Sequence, residues 1–391
     1  MNWEHELEAL MPDVLAFRRD LHRHPELSGH EERTRDVIER ELQALGIETH
    51  RFDGCCSLMG VLRNGPGRCV AIRADMDALP VTEQSGLPFS SENPGVMHAC
   101  GHDMHMALSM GSAMWFSRNR DRWHGTVKWL FESEEETVGG GQRMVAQGCM
   151  QNPRVDCVIG QHMNPAYPVG TFYSRSGAVS GCSDELTLTV RGTSCHGAYP
   201  QRGVDAIVVT AGIVTALQTL VSRSVSAFDP VVLTFGTIRG GTAQNIICGE
   251  VTLDGTLRTI TPESRRLMHE KARQMVSGIA EAMGASAELV ITPSYSAVVN
   301  DAICYEKVEA CAREIFGDAG IVIQQAPSLG VESFCYFLKE TPGVYWDLGS
   351  GVGTGLHTPT FNADESVLLP GVAMQCASVL SLLDEEARPC T

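Results

Sequence analysis

The sequence has no run of lysines and arginines dense enough to follow a phosphate backbone. Its 30 basic side chains are outnumbered by 47 acidic ones, a net charge of −17, so neither nucleic acid nor an anionic membrane is expected as a partner. Long hydrophobic runs are also missing. The most apolar stretch, AIVVTAGIVTAL at 206–217, falls short of the ~20 residues that a bilayer-spanning helix needs, and no membrane anchor is expected. The amino-terminal segment MNWEHELEALMPDVLAFRRDLHRHPEL lacks the basic start and apolar centre of an export signal. Leu7, Leu10, Val14, Phe17 and Leu21 instead recur there at helical spacing and predict one amphipathic helix ending before Pro25. Paired CxxC motifs, the mark of a closed structural zinc site, are absent. The 14 cysteines are too scattered for the disulfide framework of a small secreted domain, which leaves reduced thiols and a cytoplasmic location as the expectation.

What is present divides into two parts. A chain of 391 residues with 43% hydrophobic composition exceeds what one core usually supports. In LSGHEERTRDVIERELQALGIE, Ser28 and Glu31 have capping-box spacing and predict a helix that stops at Gly46. Beyond it, the β-rich runs RCVAIRAD, GTVKWLFESEEE, VDCVIGQHM and PGVYWDLGSG alternate with helical stretches such as MALSMGSAMWFSRN. That rhythm predicts an α/β domain, a mixed and mostly parallel sheet covered by helices, drawn from residues 1–182 and 298–391. Residues 183–297 read differently. DELTLTVRG, the helical GVDAIVVTAGIVTALQTL, VVLTFGTIRGG, EVTLDGTLRT, the helical PESRRLMHEKARQMVSGIAEAMG and AELVITPSY give the order β-α-β-β-α-β. This is a ferredoxin-like α+β domain inserted into the first.

In open parallel sheets, ligands bind beyond the carboxyl ends of the strands. Asp75 and Asp77 follow CVAIRA, Glu134, Glu135 and Glu136 follow VKWLF, and His162 follows CVIGQ. Cys100 and His102, in the ten-residue stretch HACGHDMHMA, precede a helix, and His357 follows the glycine-rich GSGVGTG. Thiolate, imidazole and carboxylate are the ligand types of Zn²⁺ and its neighbours, so the mixture points to a catalytic metal site. On extended backbone Glu135 and Glu136 would point to opposite sides, one toward metal and one toward the attacking water. Two other readings stay open. ESEEE is also the composition of a solvated acidic loop, and Cys100 at a helix amino terminus also suits a thiol nucleophile with His98 or His102 as its base. The thiol reading leaves the acidic cluster without a task.

From RRDLHRHPELS through LHTPTFNADE, nearly its whole length, the chain resembles the dinuclear metal amidohydrolases that include hippurate hydrolase, N-acyl-amino-acid amidohydrolases and indole-3-acetyl-amino-acid hydrolases. MHACGHDMH is the most specific part of the match. The resemblance implies that Cys100 bridges two divalent metal ions, Zn²⁺ first and Mn²⁺, Co²⁺ or Ni²⁺ as substitutes, with His102, Glu136, His162 and His357 completing their coordination. It implies Glu135 as general base, and Asp75 and Asp77 as a supporting pair that orients ligand imidazoles; capping of the following turn is the alternative for that pair. GTSCHGAYPQRGVDAI is similar to the family stretch whose histidine reaches a neighbouring subunit's active site. This implies His196 as a catalytic residue and a homodimer, or a higher homo-oligomer, formed through the inserted lid and dimerisation domain. GGTAQNIICGEVTLDGTLRT likewise implies Asn245 and Arg258 as substrate-binding residues.

The activity so implied is hydrolysis of an N-acyl or N-aroyl amino acid, or a similar small amide, by a metal-activated water. The alternatives are a specialised aromatic amide or amine hydrolysed at the same metals, the Cys100 thiol hydrolase, and a non-catalytic metal-binding relative. Two departures from the family's pattern stand out. Where members commonly have Gln-Pro-Ala before the paired glutamates, this chain has Glu132, Ser133 and Glu134; where they commonly read Ser-Glu-Asp-Phe, it has Val331 and Ser333 around Glu332. Both are expected close to the pocket, where they weaken any transfer of substrate preference.

Overall fold

A computed structural model of the chain describes residues 3–137 and 139–384. The first amphipathic pattern is split into two helices, Trp3–Leu7 and Met11–Arg23. Pro12, in the first turn of the second, has no N–H to continue a helix from the residues before it. Leu7, Leu10, Val14, Phe17 and Leu21 are all buried, as their spacing requires. The next helix, Glu32–Ala44, stops at Gly46, whose φ of +73° suits glycine. Its predicted capping box does not form. Ser28 Oγ donates instead to Asp77 Oδ2 (2.6 Å), and Glu31 Oε1 accepts from the backbone N–H of Glu134 (2.8 Å). Tertiary partners have displaced the local ones.

Fourteen strands follow one another among the described residues. The first seven are β1 (Glu48–Arg51), β2 (Leu58–Asn64), β3 (Cys69–Asp75), β4 (Gly125–Glu132), β5 (Cys157–Asn164), β6 (Phe172–Ser174) and β7 (Gly177–Ala178). Then come β8 (Cys182–Arg191), β9 (Val232–Gly240), β10 (Glu250–Thr259), β11 (Ser286–Pro293), β12 (Val299–Asn300), β13 (Ile321–Ile323) and β14 (Gly343–Gly349). The large sheet has the order β1-β2-β4-β3-β5-β14-β6-β13. Its central strands β4, β3, β5 and β14 run parallel, with antiparallel pairings at β1-β2, β2-β4 and β14-β6. Every residue of β3 and β4 is buried, which is why these strands read as unbroken runs rather than as alternation. The helices His102–Arg118 and Leu368–Leu383 pack against β3.

Two compact units result. The first takes residues up to 179, 298–326 and those from 333 onward; the second takes 180–297 and 327–332. The short segment 327–332 joins the insert because Gly181 N–H donates to Gly330 O (3.2 Å). The second unit is an antiparallel sheet in the order β11-β8-β10-β9, the ferredoxin-like arrangement, with its own core of Leu188, Val190, Ile213, Leu217 and Leu253. The helices Ala206–Arg223 and Pro262–Ala282 pack on it. Ala206–Arg223 and the span Glu365–Leu383 are each long and apolar enough to cross a membrane by length and composition alone. The apolar stretch read from the sequence ends at Leu217, before Gln218, whereas the helix runs on to Arg223. Ile213, Leu217 and Leu220 of that helix are buried in the second unit.

Candidate metal centre

The central parallel strands all end at one edge of the sheet. β3 ends on Asp75, β4 on Glu132, and β5 carries His162 two residues before its end. Between β3 and β4 the chain passes Cys100 and enters the helix His102–Arg118 through Gly101. A glycine is needed there: its φ is +85°, and a Cβ would lie 3.2 Å from Met163 Cγ. Cys100 thus sits just outside the helix and His102 on its first turn.

Three imidazoles converge on the thiol and the carboxylate beside it. His162 Nε2 lies 3.4 Å and His357 Nε2 3.3 Å from Cys100 Sγ. Glu136 Oε1 is 3.2 Å from His357 Nε2 and 3.9 Å from His102 Nε2. The far nitrogens explain the aim. His102 Nδ1 is 2.8 Å from the carbonyl of Asp77, and His162 Nδ1 is 2.8 Å from the carbonyl of Met163. A carbonyl only accepts, so each Nδ1 carries the proton and each Nε2 turns its lone pair toward the cluster. His102 Nε2 and Glu136 Oε1 are buried without a hydrogen-bond partner. Buried lone pairs in that state are costly unless a positive centre satisfies them. The donor set of thiolate, imidazole and carboxylate is the one Zn²⁺ and related ions take, so the residues fit a metal.

The atoms that could bind a metal form two triads that share one sulfur: Cys100, His102 and His162, and Cys100, Glu136 and His357, each with its atoms within 4.8 Å of one another. His102, Glu135 and Glu136 satisfy the same criterion. Asp75, His102 and His105 also do, but His105 is already engaged at both nitrogens. Its Nδ1 lies 2.6 Å from Asp75 Oδ1, and its Nε2 accepts from Met163 N–H at 2.9 Å. His105 therefore props the end of β5 beside His162. The sequence shows it three residues after His102, on the same helix face, yet its role depends on Met163.

The electrostatics follow from packing negative groups together. Burial raises the Cys100 thiol, but His162 and His102 outweigh it and hold the thiol well below its usual range. Burial lowers His162, and the Cys100 thiolate more than reverses this, lifting it to about 10. Burial and the same thiolate push Glu136 up to about 7. The thiol gives up its proton while the imidazole and the carboxylate beside it hold theirs, the pattern of a cluster in which positive charge is stabilised.

The surrounding groups brace the ligands. Asp77 touches His102 from the side away from Cys100, with Oδ1 3.3 Å from Nδ1, while its Oδ2 accepts from Glu136 N–H at 3.0 Å. Asp75 bonds His105 and Arg73. Asp103, beside His102, is held by Arg18 Nε and His22 Nδ1, both at 2.8 Å, from the helix Met11–Arg23. Glu135 and Glu136 lie in a turn rather than on extended backbone, because Glu134 takes a left-handed φ of +62°. His357 has the same φ; such strain in non-glycine residues concentrates at functional sites. The His357 side chain is 52% exposed against 14% for Glu136, so the cluster opens to solvent at His357.

The remaining residues singled out in the sequence lie in the second unit. His196 is exposed and bridges Ile246, and Gly197 N–H donates to Asn245 O (2.7 Å), which makes His196 and Asn245 surface neighbours. Arg258, on β10, is half-buried, and its Nη1 is buried without a hydrogen-bond partner. The departures are placed too: Glu132, Ser133 and Ser333 are fully buried, and Glu134 pairs with Arg143 at 2.7 Å.

Residues 71–381 match the model of peptidase family M20/M25/M40. The N-acyl-L-amino acid amidohydrolase of Geobacillus stearothermophilus is 41% identical over 296 residues, covering 75% of this chain and 80% of that protein. The N-acetylcysteine deacetylase of Bacillus subtilis is 34% identical over 375 residues, 95% of this chain and 96% of that one. A solved Bacillus subtilis structure, a dinuclear metal-binding peptidase of the M20 family, superposes with a TM-score of 0.85 at 30% identity, covering 96% of this chain and 99% of that chain. Fold, matched length and the ligand cluster agree: the protein is a metal-binding amide-bond hydrolase and belongs to peptidase family M20/M25/M40.

Proposed function

We propose that the protein hydrolyses the amide bond of an N-acyl or N-aroyl amino acid, releasing a carboxylate and a free amine. The observation that carries this reading is the convergence of three imidazole Nε2 atoms and Glu136 on Cys100, with Glu135 adjacent. Cys100, His102, Glu136, His162 and His357 would hold two divalent ions, the Cys100 sulfur being common to both candidate triads, with Zn²⁺ the best chemical match and Mn²⁺, Co²⁺ or Ni²⁺ taken according to supply. Bound there, the ions supply Lewis acidity that activates a water and polarises the acyl oxygen. Glu135 takes the proton from that water and returns it to the leaving nitrogen, so no acyl-enzyme is needed. Asp77 and its own backbone carbonyl keep His102 in the tautomer that offers Nε2. The unpaired Nη1 of Arg258 suits the substrate carboxylate, and Asn245 suits a polar contact to the same molecule. Thirteen described cysteines are free thiols, which fits a reducing compartment such as the cytoplasm. The test is a panel of N-acetyl, N-benzoyl and indole-acyl amino acids offered to metal-reconstituted protein, reading released amine. Turnover of at least one class is expected, and none across the panel refutes the reading.

His196 belongs to this proposal as an oxyanion stabiliser supplied to the site of a second copy. Around it the second unit exposes apolar side chains, Tyr199 at 49% and Ile246 at 44%, and the helix Ala206–Arg223 adds Ile207 and Val208, the kind of surface that a two-fold contact covers. Mixing inactive His196→Ala chains with inactive Glu135→Ala chains under exchange should restore about a quarter of wild-type activity, one complete site in each mixed dimer. Demonstrated exchange without recovery removes the cross-subunit role.

A further inference from the structure

Each of the two departures from the pattern of the family that the chain resembles contributes one residue, Glu132 from the first and Ser333 from the second, and these two, about 200 positions apart, meet at one side chain. Arg73 is 1% exposed. It donates from Nε to Glu132 Oε2, from Nη1 to Asp75 Oδ2 and from Nη2 to Ser333 Oγ, each at 2.7 Å. Strand register makes such a cation necessary. Asp75 of β3 lies directly opposite Glu132 of β4 in the parallel ladder, so two buried carboxylates share one face and repel. Arg73, two residues before Asp75, projects from that same face and lies between them.

From Arg73 the contacts lead to the glutamate pair by two routes. Ser333, whose hydroxyl Arg73 holds, donates its backbone N–H to Glu135 Oε1 at 3.3 Å. Glu132 Oε1 accepts from Gly141 N–H, and Gly140 N–H donates to Ser133 O (3.1 Å), so the loop carrying Glu134 to Glu136 is closed at its base beside the carboxylate that Arg73 holds.

We propose that Arg73 is a positioning residue that aims Glu135, and that Glu132 and Ser333 are a single exchange in which a carboxylate beside Arg73 has moved from position 333 to position 132. By the resemblance, position 132 is an amide and position 333 a carboxylate; this chain has a carboxylate at 132 and a hydroxyl at 333, so the pair of positions keeps one carboxylate on Arg73. The added negative charge at 132 is therefore neutralised inside the sheet rather than presented to a substrate. The positioning role rests on reading Glu135 as the base.

The experiment compares Glu132→Gln, Ser333→Asp and the double variant as metal-loaded enzyme, with kcat, KM, metal content and thermal melting measured for each. Each single variant should keep its metal and a KM within about twofold while kcat falls about tenfold or more, the size of effect a misaimed group produces. The double variant should return to within about threefold of wild type, a coupling expected only of residues sharing one network. A double variant no better than the product of the singles overturns the exchange. Singles that melt earlier but turn over normally, or that lose rate only through lost metal, overturn the positioning role. If Glu132→Gln does not fold, Ser333→Ala, which removes only the hydroxyl, reads the same role: lowered kcat at unchanged KM is expected, and an unchanged kcat overturns it. Glu135→Gln is measured alongside. If it keeps the full rate, the base assignment fails, while recovery in the double variant still decides the exchange.

Discussion

Glu135→Gln should lower kcat by about two to four orders of magnitude while the protein keeps its fold and metal, the loss typical of removing a positioned proton acceptor. The amide has the shape of the carboxylate, and its oxygen can still accept from Ser333 N–H, so the turn is preserved; what it cannot do is take a proton from water. Glu136→Gln should behave differently. Its Oε1 lies 3.2 Å from His357 Nε2 as part of the triad with Cys100, and a neutral amide is a much weaker ligand for a divalent cation, so metal should be lost along with activity. Metal analysis after dialysis, paired with turnover, separates the two. The reverse pattern would exchange the roles of the pair.

A strong chelator should reduce turnover to background, and added divalent metal should restore it, with about two ions bound per chain at full activity, because five ligands exceed what one open catalytic ion takes from protein. Cys100→Ser should lose both ions together, since both triads contain that sulfur. The same thiol gives a second readout. Cys100 is 7% exposed and flanked by two imidazole nitrogens, so metal-loaded protein should resist iodoacetamide at this position while chelator-treated protein reacts faster, as a thiolate freed of its cation does. Full activity in chelator, or inactivation by alkylation with metal still bound, would favour the thiol hydrolase and sink the dinuclear reading.

The sequence shows the strands clearly where burial on both faces makes them continuous, as in CVAIRAD, and the candidate ligands clearly where they sit near the carboxyl ends of strands, Glu136 just past β4 and His162 two residues before the end of β5. It shows much less where a long-range partner decides. Ser28 and Glu31 have the spacing of a local cap, but Asp77 and the Glu134 N–H, close only in the folded chain, take their side chains. Arg73 reads as an anomaly within an apolar strand, and its meaning depends on Glu132 across the ladder and on Ser333 some 260 positions later. The turn at Glu135 is hidden for a similar reason: its left-handed neighbour is not a glycine, so nothing in the composition announces the change of direction. Pro12 differs: it stands in plain view, and the expectation of one helix across it gave the apolar spacing more weight than the missing N–H that splits the pattern in two.

The insert leaves the first unit and returns to it at one point: β7 pairs with β12, and Val179 N–H donates to Val298 O at 2.9 Å. This bears on how the chain acquires its shape. β14 must slot beside β5, pairing Gly343 with Val158, a closure of roughly 185 residues if the insert is still unfolded and roughly 65 once its ends are joined, a difference of about 1 kcal/mol in loop entropy. Early folding of the insert therefore speeds completion of the large sheet. During synthesis β5 is made long before β14 and presents an unpaired apolar edge throughout, the interval in which the nascent protein is most exposed to aggregation.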